Sequence, residues 1–76
     1  MKLGYLGNHG NFSRYWVQYE ESTPNEFTEM IEHEEGFECD YYDIDRNIQY
    51  FQASAKGCFL MGQRFPNLKF EERKVY

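Results

Sequence analysis

Hydrophobic and polar positions alternate between Phe12 and Glu20, with Tyr15, Val17 and Tyr19 on one side and Trp16, Gln18 and Glu20 on the other. This is the two-residue period of a strand, in a segment rich in good β formers. From Phe27 the period lengthens, and Phe27, Met30 and Ile31 recur at the spacing of one helix face. The preceding Ser22-Thr23-Pro24-Asn25-Glu26 carries start signals: Thr23 to cap, Pro24 in the first turn and Glu26 where a capping box places it. Gly36 offers a left-handed stop, so the pattern predicts a helix over 24–35.

Alternation returns at Phe37, Cys39 and Tyr41 against Glu38, Asp40 and Tyr42, passes the turn-forming Asp45-Arg46-Asn47, and resumes over 48–53. That pattern is a β-hairpin. Ile44, Ile48, Phe51 and Ala55 also fall at helical spacing, but the alternation begins before them and the aromatic content favours strands. Ala55, Phe59, Leu60 and Gln63 then predict a short second helix, with Gly57 and Gly62 each weakening it by about 1 kcal/mol. Pro66-Asn67 ends it, and Leu68, Phe70 and Glu72 alternating with Lys69, Glu71 and Arg73 predict a closing strand.

Residues 1–11, with Gly4, Gly7 and Gly10 among Asn8, His9 and Asn11, are expected to form a loop or a short strand over 2–6. From Phe12 onward the order is βαββαβ, that of the ferredoxin-like α+β fold, with helices on one face of an antiparallel sheet. The 76 residues have room for one small domain and no deep catalytic cleft. Aromatic residues make up 20% of the chain, which offsets a shortage of Leu, Ile and Val in the core.

Cys39 and Cys58 are too few for a disulfide framework and are read as free thiols. The start of the chain lacks the apolar run of a signal peptide, and no stretch reaches the length of a membrane span. A cytoplasmic protein is expected, with no membrane contact and no cofactor.

Charge changes this picture more than composition does. Residues 20–45 hold Glu20, Glu21, Glu26, Glu29, Glu32, Glu34, Glu35, Glu38, Asp40, Asp43 and Asp45 with no Lys or Arg, whereas residues 46–76 are net basic. Apolar residues spaced through the block, from Phe27 to Ile44, give it a core to fold around, so it is not read as a disordered tail. A surplus of carboxylates disfavours direct contact with nucleic acid or anionic lipid.

Motifs for chemistry are weak. Gly4-Tyr5-Leu6-Gly7-Asn8-His9-Gly10 has the wrong spacing for a phosphate loop and no helix opens after it. Asp43-Ile44-Asp45-Arg46-Asn47 begins like a calcium loop, but Ile48 stands at the glycine position and Ser54 at the bidentate Glu position, so a hairpin turn is expected. His9, His33, Cys39 and Cys58 lack paired spacing for zinc, and no metal is expected. Cys39 with His33 is the one nucleophile and base pair worth naming, and a non-enzymatic protein is the expectation.

The acidic block is therefore the candidate working surface. The helix is expected to present Glu26, Glu29, Glu32 and Glu35, and the following strand Glu38 and Asp40, as rigid carboxylates that imitate a line of phosphates, with Tyr41, Tyr42 and Asp43 adding aromatic anchors and charge. Such a surface competes with DNA or RNA for a basic groove on a partner protein, through salt-sensitive association. In size, charge and aromatic content the chain resembles the small acidic inhibitors with which phages disable host nucleases, including anti-CRISPR and anti-restriction proteins. The alternative expectation is a ferredoxin-like interaction or dimerisation module, a homodimer through its sheet face or edge. The basic Lys69, Arg73 and Lys74 are available to fold back on the acidic helix or to pair two subunits head to tail.

Overall fold

At His9 the chain reverses through the two-residue loop Gly10-Asn11, and His9 pairs with Phe12. Gly10 has φ +62°, the positive value that the first position of such a loop requires and that glycine adopts without steric cost. The computed structural model describes residues 1–71. On either side of the loop run β1 (Lys2–His9) and β2 (Phe12–Gln18), antiparallel, with a register shift between Tyr5 and Gly7.

Gly4 and Gly7 thus lie in a strand longer than the expected 2–6, and Gly10 alone lies in a loop. Glycine in a strand marks a place where another group approaches the backbone closely. Here that group is the indole of Trp16, which lies against Gly4, its cross-strand partner.

Helix α1 (Asn25–His33) buries Phe27, Met30 and Ile31, the residues its periodicity selects. Its start differs from the capping box. Pro24 is the N-cap, without a side-chain cap bond, and the Thr23 hydroxyl instead accepts from the Glu20 N–H at 2.8 Å. Thr23 is used one turn earlier, where it closes the bend that leads out of β2. At the other end Gly36 has φ +104°, which turns the chain into the next strand.

The hairpin is present as β3 (Phe37–Asp43) and β4 (Ile48–Ala53). Its turn is held by Asp43, whose Oδ1 accepts from the N–H groups of Asp45 and Arg46, and by Asn47 at φ +57°. Helix α2 (Ala55–Arg64) follows, capped by Ser54, whose Oγ accepts from the Gly57 N–H at 3.4 Å.

The sheet order is β1-β2-β4-β3, antiparallel throughout. The element order is ββαββα, so the α+β class holds, while the expected closing strand does not follow α2 over residues 68–70. Glu71 makes an isolated parallel bridge to Gly4 on β1, and Glu72 and Arg73 lie outside the described residues. The N-terminal strand β1, paired along β2, occupies one edge of the sheet.

Leu3, Tyr15, Val17, Phe51 and Ala53 form one buried cluster with Phe27, Met30 and Ile31 of α1 and Met61 of α2. Both helices therefore cover the same face of the sheet, α1 over β3 and α2 over β2 and β4. Trp16 and Ile48, fully buried, lie outside that cluster. They belong to the other side of the sheet, as the alternation of side chains along β2 and β4 requires. No helix among the described residues is long and apolar enough to cross a membrane.

Burial also acts on phenols in this core. It pushes Tyr19 up to about 12, with nearby Cys39 and Glu32 adding to the shift. An unfolded tyrosine titrates near 10, so the folded chain holds this proton more tightly. The resulting stabilisation is complete below pH about 10 and is lost as pH rises through about 12. In Tyr19→Phe, denaturant midpoints across that window should fall less steeply than in the parent, and an identical slope would remove Tyr19 from the account.

Candidate functional site

Because Phe27, Met30 and Ile31 anchor the inner side of α1, Glu26, Glu29, Glu32 and His33 are exposed. Glu26, Glu29 and Glu32 make no ion pair among the described residues. Their three-residue spacing sets successive carboxylates about 4.5 Å apart along the axis. Glu26 and Glu29 also line a depression of about 310 Å³ with Met30, His33, Glu34 and Arg64.

The C-terminal end of α1 is different. Arg64 of α2 reaches Glu34 at 2.6 Å and Lys56 reaches Glu35 at 3.1 Å. Carboxylates at that end oppose the helix dipole, and the two cations offset this. Both pairs are well exposed, so each contributes at most about 1 kcal/mol and is screened by salt. Lys56 and Arg64 reach back to the end of the acidic helix; Lys69 makes no ion pair among the described residues, and Arg73 and Lys74 lie outside them. Glu35, expected on the free acidic surface, is thus a paired residue.

On β3, Phe37 and Cys39 pack toward the helices, which turns Glu38 and Asp40 to the opposite face of the sheet. There Gln52 Nε2 donates to Glu38 at 3.2 Å, and Arg14 lies 4.0 Å from Asp40. The register shift between Cys39 and Tyr42 separates the two tyrosines. Tyr41 stacks on Tyr50 beside Asp40, whereas Tyr42 lies against Tyr19 and donates to Asn47 Oδ1. Asp43 is engaged in the hairpin turn, with Arg46 3.7 Å from its second oxygen.

The nine expected residues therefore do not form one plane. Glu26, Glu29, Glu32 and Glu35 belong to the helical layer, and Glu38, Asp40 and Tyr41 to the far face of the sheet. The edge strand β3 joins the two groups. Arg14, Gln52, Lys56, Arg64 and Tyr50 complete this surface and were not singled out from the sequence. Nothing local marks them, since each meets its acidic or aromatic partner only through sheet pairing or helix packing.

The remaining candidates make other contacts. Burial, then the neighbouring Glu32 and Asp40 carboxylates, raise the Cys39 thiol above its ordinary value, and its Sγ donates to the Ile31 carbonyl at 3.4 Å. A thiol held protonated in this way is a poor nucleophile. Cys58 lies 3.5 Å from the Tyr15 hydroxyl. Among the described residues no three His, Cys, Asp or Glu side chains gather as metal donors. No protein family, curated protein or solved structure matches the chain.

Proposed function

We propose that the protein is a non-enzymatic, acidic-faced binding protein that occupies the basic groove of a nucleic-acid-binding partner, in the manner of the small phage inhibitors of host nucleases. The observation that carries the reading is the outer face of α1: Glu26, Glu29 and Glu32 are exposed, free of cationic partners among the described residues, and fixed on a helix anchored by three buried side chains. A helix anchored in this way needs no backbone ordering on binding, and a line of carboxylates attracts Lys and Arg at long range.

Affinity capture of host proteins at about 50 and 200 mM salt tests the reading. The parent chain should retain a nucleic-acid-binding protein at the lower salt, lose most of it at the higher, and release it to added DNA or RNA. Glu26→Lys, Glu29→Lys and Glu32→Lys together should abolish capture, with circular dichroism unchanged because none of the three is packed. Undiminished capture by the folded triple variant would refute the proposal.

The alternative of a ferredoxin-like interaction module draws on the placement of β4 between β2 and β3, the split βαβ arrangement. In that reading β1 stands where the last strand of such a fold pairs, and the contact is made by the sheet.

A further inference from the structure

We infer that the outer edge of β3 accepts an extended, lysine- or arginine-bearing segment of the partner as an added antiparallel strand. The inference rests on the proposed acidic-faced binding function and names the chemistry of the partner segment. The order β1-β2-β4-β3 leaves β3 paired on one side only among the described residues. At the opposite edge, β1 is met by Glu71, whose N–H donates to the Leu3 carbonyl at 2.7 Å. An open edge presents a row of unpaired N–H and C=O groups, a template for another strand.

Proteins commonly protect such an edge with Lys or Pro, and β3 has neither. Its charges are Glu38, Asp40 and Asp43, all negative. The register shift between Cys39 and Tyr42 confines the regular ladder to residues 37–39, which carry Glu38, and Asp40 follows directly, on the same face as Arg14.

Charge decides between the possible occupants. A second copy pairing antiparallel about a two-fold axis at Glu38, Cys39 or Asp40 would set Glu38 against Glu38, Glu38 against Asp40, or Asp40 against Asp40. Like charges directly opposite each other destabilise a ladder. The same positions favour a strand with cations at alternate residues, facing Glu38 and Asp40, and apolar residues between them, on the side of Phe37 and Cys39. Tyr41, 65% exposed on the face that holds Asp40, offers an aromatic surface for an arginine or lysine stem. Glu32 of α1, near enough to act on Cys39, adds negative charge on the helical side.

The test uses the whole chain, labelled for NMR, and synthetic peptides of about seven residues, the length of an ordinary strand. One alternates Lys and Val, a second alternates Glu and Val, and a third is the Lys-Val peptide with N-methyl groups on alternate amides, which keeps its charge but cannot complete the ladder. The Lys-Val peptide should shift the amides of residues 37–40 and slow their hydrogen exchange. The N-methylated peptide should bind at least about tenfold more weakly, and the Glu-Val peptide should not bind.

In Glu38→Lys/Asp40→Lys, preference should pass to the Glu-Val peptide. Equal binding of the N-methylated peptide, shifts confined to α1, or a dimer by light scattering at NMR concentration would overturn the inference. In the host capture assay this double variant should fail alongside the α1 triple variant. If the double variant captures normally while the triple does not, the edge is excluded and the acidic-face reading stands; if both capture normally, that reading falls as well.

Discussion

Replacing Gly4 by Ala is expected to cost the fold about 3 kcal/mol, at the upper end for overpacking, and to move the tryptophan emission to the red. A Cβ at position 4 would lie 1.8 Å from Trp16 Nε1, 2.1 Å from Cε2 and 2.6 Å from Cζ2. All three atoms belong to a rigid ring, so a small side-chain adjustment does not relieve the clash. The indole must swing away or β1 must separate from β2. Trp16 is 1% exposed, and a displaced indole uncovers roughly 200 Å² of ring surface. Because Trp16 is the one tryptophan in the chain, its emission reports this site alone. Denaturant unfolding followed by circular dichroism gives the stability change and the emission maximum gives its cause. A variant with the parent midpoint and parent emission would show that the indole has a second resting place of equal quality.

The same contact explains why β1 was hard to read from the sequence. Gly4, Gly7 and Gly10 have the composition of a loop, and residues 1–11 by themselves suggest at most a short strand over 2–6. Strand character there comes from pairing with β2 and from a large ring on β2 that needs a neighbour without a side chain. Elements whose burial follows from their own period were legible: β2 from Tyr15 and Val17, α1 from Phe27, Met30 and Ile31, the hairpin from its alternation about Asp43–Asn47.

The acidic surface was legible as charge and illegible as shape. Eleven carboxylates that run together from Glu20 to Asp45 in sequence are divided in space by one period-two strand, because Phe37 and Cys39 face the helices and so send Glu38 and Asp40 to the far side. A register shift then parts Tyr41 from Tyr42. The pairs Glu34 with Arg64 and Glu35 with Lys56 join residues of α1 and its exit turn to α2, on either side of the hairpin, and become visible only once both helices lie on one face. What the structure changes is therefore the membership of the free surface: Glu26, Glu29 and Glu32 remain unpaired on α1, while Glu35 does not.

That membership depends on a contact between two glycines, and Gly57→Ala should break it at a cost of about 3 kcal/mol. A Cβ on Gly57 would lie 2.2 Å from the Gly36 carbonyl oxygen, 2.9 Å from its carbon and 3.1 Å from Ala53 Cβ. The carbonyl cannot retreat freely, because it already accepts from the Ser54 N–H at 2.9 Å. Helix propensity acts in the opposite direction, since Ala is favoured over Gly inside a helix by about 1 kcal/mol. Gly62→Ala supplies the comparison within the same helix: its Cβ meets nothing within 4 Å, so propensity alone should make that variant more stable. Opposite signs at positions 57 and 62 in urea unfolding separate close approach from propensity, and a Gly57→Ala variant as stable as the parent would refute the account. Because Lys56 adjoins Gly57, a shifted α2 also withdraws Lys56 from Glu35 and Arg64 from Glu34. Any Gly57→Ala protein that remains folded should then bind its basic partner with a steeper salt dependence than the parent, through the two carboxylates set free.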